Sequence, residues 1–390
     1  MAQYIPRKIE ATVLSMAESF PVITILGPRQ SGKTTLVRKI FPNHAYVNLE
    51  QPDIRLLADL DPKAFLKRYA FPVIMDEIQR VPALLSYIQA IVDENRTLRG
   101  GFILTGSQQV DLRAAVSQSL AGRTALLRLL PLSISELTDA GISLNRDDYL
   151  YRGFMPRLYE DTLSPSILYS QYYQTYVERD IRQLANIRNI IAFETFIRLL
   201  AGRVGQIVNM SDLSNSTGTS ASTLTEWMGI LEASFIVFRL PPYFENFGKR
   251  LIKSPKVFFT EPGLAAWLLG IRDASQAGTG PYLGGLFENM VVVEALKARF
   301  NKGEESNLYF WRDNNGLEAD MLVSGHDSLT PVEIKASMTF SADFMKSFAK
   351  LKKASDKIKA GYVVYAGELE ADILDDHFIN FSNTGSVRGI

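Results

Sequence analysis

Cysteine is absent from the 390-residue chain, which excludes disulfide bonds and zinc sites built on thiolates. An excess of charge is absent too. Lysine and arginine together number 42, as do aspartate and glutamate, so the formal net charge is zero. Such a chain has no global basic field to attract nucleic acid, although a local basic face is compatible with this balance.

Long apolar runs are also missing. No stretch approaches the roughly 18 uncharged apolar residues of a membrane span, and the first residues, MAQYIPRK, lack the apolar core of a signal peptide. We therefore expect a cytoplasmic protein with no membrane partner. The length favours two or three domains.

The strongest motif is GPRQSGKT at 27–34, which fits the phosphate-loop pattern GxxxxGK[ST]. An apolar, β-branched segment precedes it and a helical segment follows it, which is the strand–loop–helix context that the motif requires. Backbone N–H groups of such a loop surround phosphate oxygens, and the helix N-terminus adds partial positive charge. The predicted ATP-binding residues of this stretch are Gly27, Pro28, Arg29, Gln30, Ser31, Gly32, Lys33, Thr34 and Thr35. Lys33 is expected to reach the β- and γ-phosphates and Thr34 to hold Mg²⁺.

Two acids follow the next apolar strand, at Asp76 and Glu77. Ligands of open α/β sheets bind at this carboxyl edge of the strands. Asp76 is therefore expected to hold Mg²⁺, and Glu77 to polarise the water that attacks ATP. A later apolar strand ends at Thr105 and Ser107, which either contact the γ-phosphate and its attacking water or simply end the strand. Both interpretations have equal weight.

Five predicted strands alternate with helices, which indicates a three-layer α/β domain with a parallel sheet over residues 1–150. Its motifs resemble, in order and spacing, those of AAA-type (AAA+) ATPases of bacteria and archaea that carry an uncharacterised C-terminal domain. The shared motifs are the phosphate loop, DEIQ at 76–79, LTGS at 104–107, AGR at 121–123 and PLS at 131–133.

The resemblance implies that Arg123 reaches the nucleotide of a neighbouring subunit and stabilises charge on the γ-phosphoryl group. It also implies a homo-oligomer, either a ring or a nucleotide-driven dimer. The alternative is an arginine that only satisfies the dipole of the preceding helix, and it has nearly equal weight.

Residues 151–280 predict a helical lid followed by a winged helix, with continuous helix over 166–202. Two helices between 210 and 232 form a helix-turn-helix pattern, and two strands of a wing come next. The second helix carries Ser, Thr and an acid, whereas the basic residues lie on the wing, where they meet phosphates rather than bases. Sequence-independent DNA contact is favoured slightly over packing against a protein. The wing residues are Lys249, Arg250 and Lys253.

Residues 281–390 carry a second chemical signal. Glu333 and Lys335 share one face of a predicted strand, because side chains alternate along it, and Asp320 lies on a neighbouring strand. With Glu288 on the preceding helix they resemble the PD-(D/E)xK nuclease core. The resemblance implies that Asp320 and Glu333 bind Mg²⁺ while Lys335 helps to activate water. The other interpretation is a nuclease-like fold without activity.

The fold class predicted for the whole chain is therefore α/β: an AAA+ three-layer domain, a helical and winged-helix region, and a small nuclease-like α/β domain. A basic helix at 341–360 is expected to cover the rim of the C-terminal site or to follow a phosphate backbone. The predicted function is ATP hydrolysis coupled to binding and remodelling or translocation of DNA, branched DNA included. Two alternatives stay open, an ATP-gated nuclease and a signalling ATPase that acts on a protein partner.

Overall fold

The structure, a computed structural model, describes residues 4–107, 119–181, 187, 189–244, 254–313 and 316–390. The first part of the chain forms a five-stranded sheet in the order β2-β3-β4-β1-β5, and every pairing is parallel, as predicted. The strands are Val22–Leu26 (β1), Ala45–Asn48 (β2), Val73–Asp76 (β3), Phe102–Gly106 (β4) and Thr124–Arg128 (β5). β1, β3 and β4 are buried along their whole length, which their apolar composition requires.

Helices cover both faces of this sheet. Alternate residues of β1 enter two different cores, Ile23 and Ile25 on one side and Val22 and Leu26 on the other. The first core also contains residues of the first two helices, and the second contains residues of the next three, so the domain has the three predicted layers. These helices are Glu10–Ser19 (α1), Lys33–Ile40 (α2), Pro52–Leu60 (α3), Pro62–Arg68 (α4) and Leu84–Glu94 (α5).

Several shorter helices follow the sheet: Ile134–Asp139 (α6), Arg146–Arg152 (α7), Arg157–Glu160 (α8) and Pro165–Tyr172 (α9). The uninterrupted helix predicted over 166–202 is wrong. Tyr173–Ile181 form a π-helix, residues 187 and 189 are not helical, and Ile190–Ala201 form an α-helix (α10). The apolar pattern continues into the π-helix, where Tyr173 and Tyr176 are buried like Tyr172 before them. This continuity explains why the sequence predicts a single helix.

The middle region then forms helices Met210–Thr217 (α11) and Ala221–Ala233 (α12), followed by the antiparallel strands Val237–Leu240 (β6) and Lys256–Phe259 (β7). These elements match the predicted helix and strand positions, and their assignment as a winged helix stays a prediction. The basic wing residues Lys249, Arg250 and Lys253 lie outside the described residues.

A six-stranded sheet in the order β12-β13-β11-β10-β9-β8 forms the last part of the chain. Its strands are Leu308–Arg312 (β8), Glu318–Ser324 (β9), Leu329–Lys335 (β10), Tyr362–Tyr365 (β11), Ala371–Ile373 (β12) and Asp376–Asn380 (β13). Three helices precede it, Pro262–Leu268 (α13), Ala274–Thr279 (α14) and Leu283–Asn301 (α15). The basic helix predicted at 341–360 is shorter, with a 3₁₀ turn at Ala342–Met345 and an α-helix at Lys346–Ala354 (α16).

Helix α15 joins the three parts of the molecule. It is buried for most of its 19 residues, and its buried polar side chains bond to the backbone of other elements. Asn289 bonds to the N–H and carbonyl groups of Phe259 in β7, at 2.7 and 3.0 Å. Glu294 accepts a hydrogen bond from the N–H of Ile134 in α6. None of the helices within the described ranges combines the length and apolar character that crossing a bilayer requires.

Candidate functional site

The phosphate loop lies between the end of β1 and the start of α2. Gly27 has no room for a side chain, because a Cβ there would lie 2.0 Å from the carbonyl oxygen of Leu129. Gly32 has a φ of +92°, a left-handed conformation that glycine adopts without strain, and α2 begins directly after it at Lys33. Both fixed glycines of the motif are therefore required by the backbone geometry.

Lys33 is buried inside the loop. Its Nζ donates hydrogen bonds to the carbonyl oxygens of Gly27 at 3.0 Å and Pro28 at 2.8 Å. Burial lowers the pKa of Lys33 to about 8, although the nearby acids Glu77 and Asp76 act in the opposite direction. The ammonium group is thus held at the loop by two neutral carbonyl groups, and phosphate oxygens would compensate its charge far better.

Asp76 lies at the end of β3 and accepts hydrogen bonds from three hydroxyl groups. Thr34 and Tyr46 donate hydrogen bonds to its Oδ2 at 2.8 and 2.9 Å, and Thr105 donates to its Oδ1. The predicted Mg²⁺ residues Thr34 and Asp76 are therefore in direct contact. Mg²⁺ is usually bound by one or two carboxylates together with phosphate oxygens and water, and this pair of oxygen ligands beside the loop fits that chemistry. Tyr46 is a contact that the sequence did not predict.

Glu77 follows in a left-handed conformation, with a φ of +58° that is uncommon for a residue with a side chain. Its Oε2 accepts hydrogen bonds from Ser107, at 3.1 Å, and from Gln79. Thr105 and Ser107, predicted either to touch the γ-phosphate region or to end a strand, thus contact the carboxylates of Asp76 and Glu77. Thr105 therefore orients Asp76 and Ser107 orients Glu77. Contact of Thr105 or Ser107 with the γ-phosphate stays a prediction.

A cavity of about 470 Å³ opens over the loop. It is lined by Gln30, Gly32, Lys33, Thr34, Thr35 and Glu77 from the predicted site, and by residues from the N-terminal segment and from α8. Arg29 also faces it and forms an ion pair with Glu50 at 3.1 Å. Part of the predicted site therefore lines one open space, whereas the other predicted residues are not among its lining: Gly27, Pro28, Ser31, Asp76, Thr105 and Ser107.

The residues of the predicted C-terminal site also lie close together. Lys335 lies 2.5 Å from Glu333 and 3.8 Å from Asp320 (Nζ to carboxylate oxygen). The backbone N–H of Ile334 donates to Asp320 at 2.8 Å. Burial raises the pKa of Glu333, and the negative charge of Asp320 adds to this shift.

Lys256 of β7, which the sequence did not predict, enters the same cluster. Its Nζ lies 2.9 Å from Glu288 and 2.8 Å from Glu318. Glu288 packs closely over Gly205, where a Cβ would lie 2.9 Å from its Oε2. Burial raises the pKa of Glu288 to about 8, against the opposing effect of Lys256. The cluster thus contains two buried or half-buried lysines among four acids.

The predicted Mg²⁺ ligands Asp320 and Glu333 lie within a set of ion pairs, and their binding of Mg²⁺ stays a prediction. Within the described ranges, no three His, Asp or Glu side chains converge into a group able to hold a metal ion. Lys335 already pairs with Glu333, and Lys256 lies between Glu288 and Glu318, so ammonium groups supply the positive charge that a cation would bring. We derive no metal chemistry from this cluster.

Comparison with known proteins agrees with the geometry of the phosphate loop. A family model described as an AAA domain matches residues 19–138, and two models described as domains of unknown function match residues 144–275 and 283–383. An uncharacterized protein of Mycobacterium tuberculosis is 31% identical over 323 residues, which cover 82% of this chain and 71% of that protein. This chain belongs to the same family. It is an AAA-type ATPase.

Other similarities are weaker. An uncharacterized protein of Haemophilus influenzae is 25% identical over 309 residues, covering 71% of this chain and 74% of that protein. A Walker-type ATPase of Pyrococcus abyssi aligns with 68% of this chain and 96% of its own, at 14% identity and a TM-score of 0.41. AMPPCP-bound DnaA from Aquifex aeolicus aligns with 57% of this chain and 85% of its own, at 13% identity and a TM-score of 0.29.

Arg123 of this AAA-type ATPase lies on the surface just before β5. Its guanidinium forms two hydrogen bonds with the carboxylate of Asp93 in α5, at 2.6 and 2.9 Å. These bonds hold the pKa of Asp93 below its ordinary value. Arg123 is thus separate from the loop of its own subunit, and its predicted role at a neighbouring subunit's nucleotide stays a prediction.

Proposed function

We propose that this AAA-type ATPase hydrolyses ATP with Lys33, Thr34, Asp76 and Glu77, and that it uses hydrolysis to remodel or translocate DNA without reading its sequence. The observation that carries the catalytic part is the contact between Thr34 and Asp76, 2.8 Å long, at the edge of an open cavity. It joins the phosphate loop to the acidic strand end, as hydrolysis requires.

Each residue has a role that follows from its contacts. Lys33 exchanges its bonds to two loop carbonyls for bonds to the β- and γ-phosphates, and its charge opposes the charge that develops during phosphoryl transfer. Thr34 and Asp76 would hold Mg²⁺, which when bound neutralises phosphate charge and orients the oxygens. Thr105 and Tyr46 keep the Asp76 carboxylate directed toward Thr34.

Glu77 orients the attacking water and accepts its proton. Its carboxylate faces the cavity, and the bonds from Ser107 and Gln79 fix the orientation of one of its oxygens. A carboxylate fixed in this way accepts a proton from a water at the cavity side as the water attacks the γ-phosphorus.

The DNA part of the proposal is supported by a lysine stripe on α16, defined as Lys346, Lys350 and Lys353. The three side chains are exposed and follow one another at helical spacing, while Phe348 and Leu351 face the core. Lys346 also pairs with Asp343 at 2.8 Å. Ammonium groups on one exposed helix face suit contacts with phosphates, which do not depend on the bases. No residue of α12 offers a comparable positive row.

The test is binding of fluorescent duplex DNA as a function of salt, together with ATP hydrolysis in its presence. Replacing Lys350 and Lys353 by Glu should weaken binding at least about tenfold and lower the salt slope by about 1 for each lost phosphate contact. The matched control is the double change Lys63→Glu and Lys67→Glu, on the exposed side of α4 in the ATPase domain. Equal effects of the two pairs would contradict a role of the stripe.

The same assay decides between the proposal and its alternatives. Stimulation of ATP hydrolysis by DNA, without cut strands on a gel, supports remodelling or translocation. Cut strands that disappear in a Lys335→Ala variant support an ATP-gated nuclease. Hydrolysis indifferent to duplex and branched DNA, with no salt-sensitive binding, overturns the DNA proposal and favours a signalling ATPase with a protein partner.

A further inference from the structure

Arg7 is a buried arginine that touches the phosphate loop. Its Nη1 donates a hydrogen bond of 2.7 Å to the carbonyl oxygen of Ser31, inside the loop. Its Nη2 donates to the carbonyl oxygens of Leu130, at 2.7 Å, and Pro131, at 3.3 Å. Arg7 therefore connects the loop to the segment that follows the last strand of the parallel sheet.

A buried acid holds Arg7 in this position. Glu136 of α6 lies 3.1 Å from the Nε of Arg7, and its side chain has no exposed surface. The same carboxylate accepts the backbone N–H groups of Lys8 and Ser133, both at 2.8 Å. A buried ion pair with this many hydrogen bonds fixes the geometry of both partners, because any displacement leaves a buried charge uncompensated.

The contact with Ser31 has a direct consequence for the loop. A trans peptide unit is planar, so its carbonyl oxygen and the following N–H point in opposite directions. By holding the Ser31 carbonyl, Arg7 directs the N–H of Gly32 away from itself. Gly32 lines the cavity, and its N–H is among the groups that a phosphate-binding loop presents to the nucleotide.

The opposite side of the same segment, residues 130–136, is held by α15. Glu294 accepts the N–H of Ile134 at 2.8 Å, and Lys297 donates to the carbonyl oxygen of Leu132 at 2.7 Å. Glu294 and Lys297 also pair with each other at 2.7 Å and are both buried. One short segment is thus held between Arg7, next to the phosphate loop, and a helix that extends to the C-terminal sheet.

We propose that Arg7 is a positioning residue for ATP binding, and that segment 130–136 links its contact with the phosphate loop to the Glu294–Lys297 pair of α15. Nucleotide binding and the packing of α15 then influence each other, because both depend on the same buried backbone groups. Arg7 also lines the cavity over the loop.

The first test compares Arg7→Ala and Arg7→Lys with Arg146→Ala. Arg146 is an equally buried arginine that donates to the carbonyl oxygens of Gly278 and Ala336, away from the loop. We expect Arg7→Ala to raise the Kd for ATP about tenfold or more, the loss expected for a charged hydrogen bond, with partial rescue by Arg7→Lys. Arg146→Ala should lower the melting temperature similarly but leave the Kd unchanged.

Equal Kd values for wild type and Arg7→Ala would overturn the positioning role, as would an equal rise in Kd for Arg146→Ala. Because the readout is ATP affinity, the test remains valid if the roles proposed for Glu77 or for DNA fail.

The second test is a double-mutant cycle between Arg7→Ala and Glu294→Gln, again on the Kd for ATP. Glutamine keeps an acceptor for the N–H of Ile134 but removes the charge that faces Lys297. The link predicts that Glu294→Gln raises the Kd severalfold and that the double variant loses less than the product of the two single effects. An unchanged Kd in Glu294→Gln, or strictly multiplicative losses, would overturn the link.

Discussion

The hydroxyl of Thr34 donates a 2.8 Å hydrogen bond to the Oδ2 of Asp76. These residues belong to different strand–loop units, and their contact places the phosphate loop beside the acidic end of β3. Tyr46 donates to the same oxygen at 2.9 Å from the neighbouring strand β2. One carboxylate oxygen therefore unites the two elements that an ATPase site needs.

The first prediction concerns this carboxylate. Asp76→Asn should reduce ATP hydrolysis to background, because the charge that would attract Mg²⁺ is gone. Tyr46→Phe should retain hydrolysis but raise the Mg²⁺ concentration for half-maximal rate about tenfold, as expected when a group that orients a metal ligand is lost. Magnesium titrations of steady-state hydrolysis measure both effects. An Asp76→Asn variant with a normal magnesium requirement would contradict the assignment.

Much of the candidate ATP site could be predicted because its signals are local. The loop motif is contiguous, and its glycines are needed where the backbone leaves no room at Gly27 and turns left-handed at Gly32. Asp76 and Glu77 could be predicted from the rule that parallel strands share a carboxyl edge. Tyr46 and Arg7 could not be predicted, because their contacts depend on strand order and on packing of the N-terminal segment, which no spacing in the sequence records.

In the C-terminal cluster, too, some residues could be predicted from the sequence and others could not. Strand alternation correctly placed Glu333 and Lys335 together, and Asp320 lies beside them. Lys256 comes from a strand of the middle region, far away in sequence, and adds ion pairs with Glu288 and Glu318 that the sequence did not predict. The basic helix was predicted too long because lysines continue to Lys359, whereas the chain becomes extended at Ser355.

A second prediction concerns Arg123. If it acts across a subunit interface, Arg123→Ala should lower the rate of hydrolysis about a thousandfold or more, the range known for arginine fingers. Mixing Arg123→Ala with Lys33→Ala subunits should restore part of the activity, because one interface type then combines an intact loop with an intact arginine. Asp93→Asn is the control, since it removes the partner of Arg123 and keeps the arginine. If Asp93→Asn lost as much activity as Arg123→Ala, and mixing restored none, Arg123 would have a structural role instead.

A third prediction concerns the pH dependence of stability. Burial raises the pKa of Glu288 to about 8, above the ordinary 4.5 of a glutamate. Between these values the folded protein retains a proton that the unfolded chain releases, so the free energy of unfolding should fall as pH rises and level off above about pH 8. One such group changes this free energy by at most about 1.4 kcal/mol per pH unit.

Urea unfolding between pH 5 and 9 measures this dependence, and Glu288→Gln should flatten the curve over that range. Glutamine keeps the size of the side chain over Gly205 and does not titrate. An identical slope in Glu288→Gln and wild type would show that other groups cause the pH dependence.

The most direct test of the account separates ATP binding from ATP hydrolysis at Glu77. Glu77→Gln keeps the shape of the side chain and its bond from Ser107 but cannot accept a proton from water. We expect purified Glu77→Gln to bind ATP with nearly wild-type Kd while single-turnover hydrolysis in Mg²⁺ slows at least about a hundredfold. Hydrolysis at the wild-type rate by Glu77→Gln would contradict the proposed mechanism of this site.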